Sequence, residues 1–279
     1  MNYPVYKLKD WIKEDKLYNL QLSYNPNAVD YLLANKNKIV YSLFSQNSNY
    51  KAINYLLANK NKIKWDYLSC NSSAIDLLIN NPDKIDWSYL SKNTHPKAIE
   101  LLENNLDKIE WYLINTNSAA IHLLRKNPEY IDWSLLSSNS SSFAINLLLK
   151  NPEKIDWYNF SLNKNPLAIK LIEKNLDKIS WSYLSSNPSA IHIIEKNLNK
   201  ISWSYLSFNP EAIEILKENQ NKINWNNLSA NPAIFEFDYE QMKLNNQQLE
   251  EDLLKAVLHP RRVIRNIKLY EYDLDDMYD

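Results

Sequence analysis

Asn187–Pro188–Ser189–Ala190–Ile191–His192–Ile193–Ile194–Glu195–Lys196–Asn197–Leu198–Asn199–Lys200–Ile201–Ser202–Trp203–Ser204–Tyr205–Leu206–Ser207–Phe208–Asn209 decides how the whole chain is read. Its Ala190 recurs in the same frame as Ala28, Ala52, Ala74, Ala98, Ala120, Ala144, Ala168 and Ala212, at spacings of 22 or 24 residues. Counted from that Ala as position 0, position 7 is always Asn: Asn35, Asn59, Asn81, Asn105, Asn127, Asn151, Asn175, Asn197 and Asn219. Position 11 is always Ile, and position 19 is Asn in every copy from Asn47 to Asn231. Position 13 is Trp65, Trp87, Trp111, Trp133, Trp157, Trp181, Trp203 or Trp225, with Tyr41 in the first copy. The Ala-to-Trp spacing never changes, so the two-residue insertions fall in the loop before the next Ala, as in Asn163–Lys164–Asn165–Pro166. A fixed period of this length marks a stacked repeat protein.

Each copy reads as two short helices. Asn-Pro opens the first: Asn caps free backbone N–H groups, and Pro stands where its missing N–H costs nothing. Apolar residues at positions 0, 1, 3 and 4 then form one helix face. Asn at position 7 is expected to end it in the left-handed conformation that Gly usually supplies. The second helix starts at a polar cap (Asp86, Asp132, Asp156, Ser180, Ser202) and buries Trp and Leu three apart, as Trp203 and Leu206 do. Serines at position 17 are expected to bond nearby backbone. One copy alone cannot offset the entropy of ordering it, so neighbours must share their apolar faces.

The predicted fold is all-α: a right-handed-type α-solenoid of about nine two-helix repeats with N- and C-terminal caps. At about 8–10 Å per helix layer it would be a curved rod roughly 80–90 Å long. Residues 1–25 form an N-terminal cap and half repeat, 26–231 the nine-repeat array, and 232–279 a helical C-terminal cap with an acidic tail. Lys16 to Asn25 matches a second helix with Asn19 in place of Trp, preceded by Leu8–Ile12 as a cap. Gln247–Leu258 reads as an amphipathic helix, and a last one carries Val263, Ile264 and Ile267.

Composition narrows the function. The chain of 279 residues has no Gly, which excludes phosphate-cradling loops, dinucleotide fingerprints, EF-hand loops and the G-x-S-x-G nucleophile elbow. With 32 Lys+Arg against 33 Asp+Glu, nothing draws the whole chain to phosphate backbones or anionic membranes, so nucleic acid is disfavoured. Met1–Leu20 has no apolar run and no stretch approaches 18 apolar residues, so neither a signal peptide nor a membrane span is predicted. The single Cys70 permits no internal disulfide and fits a reducing compartment.

The unit Asn-Pro-x-Ala-Ile-x-Leu-Leu-x-x-Asn-x-x-Lys-Ile-x-Trp-x-x-Leu-Ser-x-Asn resembles the tandem repeats of many uncharacterised proteins of giant DNA viruses that infect amoebae. Asp10–Trp11–Ile12 near the start, and His259–Pro260–Arg261–Arg262 with Tyr272–Asp273–Leu274–Asp275–Asp276 near the end, are similar to the ends of such proteins. Glu271 stands where relatives tend to carry Gly. The resemblance covers nearly the whole chain and implies a viral protein of the host cytoplasm or virion, with no established activity.

Among candidate functional residues, the Trp ladder reads as repeat core and the position-7 Asn ladder as structural caps, because a ligand-reading code would vary between copies. His122 and His192 share position 2 three copies apart and hold no common metal; Cys70 sits at a variable position. Arg261, Arg262 and Arg265 are three of only four Arg and form the tentative binding patch, against the plainer reading that they pair with the acidic tail. Positions 5 and 18 vary between copies and offer a specificity surface. The expected function is a non-catalytic repeat scaffold that binds a protein partner, with no cofactor, metal or membrane. Self-association as a structural or virion component is the alternative, and RNA binding stands third.

Overall fold

The computed structural model describes residues 4–258, and they are all-α apart from one small sheet. Two compact units are present, Leu8–Phe235 and a smaller one in which Met1–Lys7 joins Glu236–Asp279.

In the larger unit every repeat copy yields two short helices, joined by a 3-10 turn in copies one to six and nine and by a plain turn in copies seven and eight. Copy eight gives Pro188–Ala190, Ile191–Glu195 and, as its second helix, Trp203–Leu206. The loop insertion has a local effect. Copies preceded by the longer loop start with an uninterrupted α-helix (Tyr50–Ala58, Pro96–Glu103, Ser142–Lys150, Pro166–Glu173). Copies three, eight and nine, with the shorter loop, start through a 3-10 turn (Ser72–Ala74, Pro188–Ala190, Pro210–Ala212), and copy five through a plain turn.

The core consists of three rows. Ala at position 0, Leu or Ile at position 4, and Leu, Phe or Ile at position 16 are 2% exposed or less in every copy. The small Ala lets the first helix approach the second closely. The Trp row lies further out: all eight indoles are half-buried, with Trp133, Trp157 and Trp181 packed against one of these clusters. Lysines cover the outer faces of several of them. Lys108 Nζ sits 4.4 Å from the centroid of the Trp87 ring, Lys178 5.3 Å from Trp157, Lys200 5.2 Å from Trp181 and Lys222 4.3 Å from Trp203. Each Lys is position 10 of the following copy. In copy five Tyr130 replaces it and stacks on Trp111, centroids 4.2 Å apart.

Buried polar side chains stitch each copy to the one before. Asn163 Nδ2 donates to the Ser137 and Asn139 carbonyls at 2.9 Å, while its Oδ1 accepts from Asn165 N–H, so all its valences are used. Asn47, Asn71, Asn117, Asn187, Asn209 and Asn231 repeat the bidentate donation to their own preceding copies. Position 17 does a second job. Ser161 Oγ donates to the Trp157 carbonyl, the local bond expected, and also accepts Ser180 N–H from the next copy. Asn115, which replaces this Ser in copy four, reproduces both bonds and adds one to the Tyr130 carbonyl.

Position 7 departs from expectation. Asn35, Asn59, Asn105 and Asn151 have φ between −142° and −124° with ψ near 60°, so they are not left-handed. Their side chains explain why: Asn35 Nδ2 donates to the Tyr31 carbonyl four residues back, and the 3-10 turn that follows satisfies the Asn carbonyl through Lys38 N–H. With the last-turn carbonyls satisfied in this way, no residue needs a positive φ. A fold of nine such turns thereby manages without Gly.

The open rod with two unlike ends is overturned. Asn25, in the N-terminal half-copy, donates from Nδ2 to the Ser229 and Asn231 carbonyls of the last copy, the same pair of bonds made between neighbours. Tyr18 N–H donates to Ser229 Oγ, Asn27 Nδ2 to the Pro232 carbonyl and Gln21 Nε2 to Asn226 Oδ1. Lys16 covers the Trp225 ring at 5.4 Å, as position-10 lysines do elsewhere. The helix Asn19–Tyr24 thus packs on both Tyr41–Gln46 and Trp225–Ser229.

In the smaller unit, β1 (Tyr6–Leu8) pairs with β2 (Phe235–Phe237), and the Tyr6 and Phe237 rings stack at 5.0 Å. The helix Tyr239–Val257 starts eight residues earlier than the amphipathic stretch expected at Gln247, capped by Asp238 accepting Gln241 N–H. Its Leu249, Leu253 and Leu254 are exposed. The expected last helix, the acidic tail and Arg261, Arg262 and Arg265 lie outside the described residues.

Candidate binding surface

The repeated polar residues are consumed by the fold itself. Asn at positions 7 and 19 and Ser at position 17 are bonded to backbone, and the latter two are fully enclosed, which leaves them nothing to offer a ligand. The side chains that differ from copy to copy are not consumed in this way.

Three surfaces carry such differences. On the second helices, Tyr158, Tyr183 and Tyr205 form a run across copies six to eight, with centroids 6.0 Å and 5.8 Å apart and edge-to-face geometry. Tyr158 is 66% exposed, and Phe208 at position 18 of copy eight is exposed as well. Sequence reasoning had marked position 18 but passed over positions 14 and 15, which supply the three tyrosines. Their signal was available: position 15 alternates between Tyr, Leu and Asn while its neighbours at 13, 16 and 17 hardly change. At position 18 itself, Cys70, Ser138 and Ser186 bond the carbonyl three residues back, at 3.2, 2.8 and 2.8 Å. Burial pushes the Cys70 thiol above its ordinary pKa, only partly opposed by Lys92, so the reactive thiolate is suppressed.

The first helices carry exposed ion pairs between copies. Lys51 meets Asp30 at 2.6 Å and Lys97 meets Asp76 at 2.7 Å. His122 Nε2 lies 2.8 Å from Glu103, and His192 Nε2 is the same distance from Glu173. Both histidines are therefore paired to acids of the preceding copy. The His122 hydrogen bond, followed by that of Lys126, holds the Glu103 carboxyl below its ordinary pKa, and the Lys97 bond does the same for Asp76. A shallow depression of about 320 Å³ beside His192 is lined by Lys164, Pro166, Ile169, Lys170, Glu173 and Ser189. Among the described residues no three His, Cys, Asp or Glu side chains cluster to hold a metal.

Near the N-terminal copies, the Tyr31 hydroxyl and Lys38 both hydrogen-bond Glu14 and each other, which lowers the Glu14 pKa. The Tyr55 hydroxyl, 3.4 Å away, and burial together push the Tyr41 phenol up to about 12. The first contact joins the N-terminal segment to copy one and the second joins copies one and two.

The third surface is the row of 3-10 turns, positions 8 to 12, where charge changes along the series. No helix among the described residues is long and apolar enough to cross a membrane. No family model matches the chain, and neither a curated protein nor a solved structure matches it.

Proposed function

We propose that the chain is a non-catalytic protein-binding scaffold, built as an α-solenoid of nine two-helix copies that a tenth, N-terminal half-copy closes into a ring. The bonds of Asn25, Tyr18 and Lys16 to the last copy support closure, since they reproduce the bonds between interior neighbours. The observation that carries the functional reading is the division of labour among side chains. Invariant polar groups are spent on the backbone, and variable, exposed aromatic groups line the second helices. Aromatic rings of this kind anchor protein interfaces at low entropic cost. The partner is a polypeptide that presents apolar side chains to Tyr158, Tyr183, Tyr205 and Phe208.

The likeness of the unit to giant-virus repeats supports an adaptor acting in infected amoebae. Affinity capture from such cells, with a Tyr158→Ala/Tyr183→Ala/Tyr205→Ala variant beside the parent, tests this reading. Proteins held by the parent and lost by the variant are expected; equal recovery by both would contradict it.

A further inference from the structure

The row of turns at positions 8 to 12 is nearly balanced as a whole, with eleven lysines against nine acids, but not along its length. In copies one and two it reads Lys36–Asn37–Lys38–Ile39–Val40 and Lys60–Asn61–Lys62–Ile63–Lys64: five lysines and no acid. No Asp or Glu occurs anywhere between Tyr31 and Trp65. In copies three to six the same positions carry Asp83, Asp86, Asp107, Glu110, Glu129, Asp132, Glu153 and Asp156 against Lys84, Lys108 and Lys154, eight carboxylates to three lysines. Two adjacent arcs thus hold equal and opposite net charge.

These turns lie side by side, because position 12 of each copy donates its N–H to position 17 of the copy before. Lys64, Asp86, Glu110, Asp132 and Asp156 do so to Ser45, Ser69, Ser91, Asn115 and Ser137 at 2.9–3.1 Å. The charges are also exposed, with Lys36 and Lys62 lying over the Tyr55 and Tyr41 rings at 5.9 and 5.1 Å from their centroids. Lys36, Lys60, Lys62 and Lys64 are exposed, as are Asp107, Glu110, Glu129 and Glu153, and none of the eight takes part in an ion pair. Lys38 is partly engaged by Glu14, and Lys84 by Asp83 at 3.0 Å. Copy five is the most acidic, since Tyr130 replaces the position-10 lysine there.

We infer that this edge is a self-complementary docking surface for a second copy of the chain, the basic arc of each facing the acidic arc of the other. An isologous pair requires one patch to carry both halves of the contact, and this edge does. A purely basic surface would suit a polyanion and a purely acidic one a cation-rich partner; only another edge of the same kind matches both arcs at once. With the two edges face to face about a two-fold axis through copy three, copy two (Lys60, Lys62, Lys64) meets copy four (Asp107, Glu110). Copy one (Lys36, Lys38) then meets copy five (Glu129, Asp132). This register rests on ring closure, which makes the edge flat; the charge pairing itself does not.

The test compares sedimentation of the full chain at 0.01 M salt, where the screening length is about 30 Å, and at 1 M, where it is about 3 Å. Two variants accompany it: Lys36→Glu/Lys60→Glu/Lys62→Glu/Lys64→Glu, and Asp107→Lys/Glu110→Lys/Glu129→Lys/Glu153→Lys. The expected result is a parent dimer at low salt that dissociates at high salt, each variant alone monomeric, and an equimolar mixture of the two variants sedimenting as a dimer. That mixture also shows that both variants fold. A parent monomeric at low salt, or a parent dimer that either variant retains, overturns the proposal. So does a monomeric parent that retains single-stranded RNA through the four lysines, which would assign the basic arc to nucleic acid. Failure of ring closure alone would leave the dimer but shift carbodiimide cross-links away from Lys60 with Asp107.

Discussion

A buried Asn amide that donates twice and accepts once leaves nothing unpaired, and removing it strands the carbonyls it served. Asn163→Ala deprives the enclosed Ser137 and Asn139 carbonyls of their donor. An unsatisfied buried group costs about 1–3 kcal/mol, so a loss on the order of 3 kcal/mol in denaturant unfolding is expected; a change under about 0.5 kcal/mol would contradict the assignment. The Asn residues were legible in the sequence as structural, but their backbone conformation was not. Position 7 was expected to be left-handed because Asn often substitutes for Gly there, whereas its side chain satisfies the i−4 carbonyl directly and removes the need. Surface electrostatics give a second residue-scale prediction. Since the His122 bond lowers the Glu103 pKa, the pair's contribution is present above the ordinary carboxylate pKa of about 4.3 and is lost as pH falls through the lowered value. In His122→Ala the Glu103 titration, followed by carboxyl NMR, moves upward; an unmoved midpoint would refute the pairing.

At the scale of the helix pair, the sequence shows periodicity plainly and packing depth poorly. Trp at position 13 reads as core from its regularity, yet each indole is half-buried, and Trp87, Trp157, Trp181 and Trp203 lie beneath the lysine of the next copy. The Lys-Ile-x-Trp spacing contained this contact, but only across copies: Lys178 covers Trp157, not its own Trp181. No within-copy pattern exposes such a pairing. A double-mutant cycle of Lys178→Met and Trp157→Leu should return about 0.5–1 kcal/mol of coupling, the value for cations on partly exposed rings. The same cycle on Lys178 and Trp181 should return none. The close approach of the two helices is tested at position 0, where Ala168 is fully enclosed. Ala168→Leu overpacks it and is expected to cost about 1–3 kcal/mol; a neutral outcome would mean the helices are not in close contact.

For the whole molecule, the all-α class was readable because one unit is written nine times, while the bonds that join Asn25 to the last copy were not. Whether a row of helix pairs spirals or returns to its start depends on the small rotation between neighbours summed over all copies, and no single copy encodes that sum. The half-copy Lys16 to Asn25 was visible as a second helix without a first, and it was read as an end cap because a row was assumed to have ends. In a closed ring every unit has two neighbours, so Asn25→Ala should destabilise as much as Asn163→Ala; in an open row, where stability is a sum of neighbour interfaces, an end-unit change costs much less. The most direct test is a distance. Nitroxide labels on Gln21→Cys and Asn226→Cys, in a Cys70→Ser background, probe the two side chains whose amide atoms lie 2.9 Å apart. Closure predicts one narrow, short distance, the same as for labels on Ser182→Cys and Tyr205→Cys in neighbouring copies. A distribution centred near the roughly 80 Å span of nine open helix layers would contradict it.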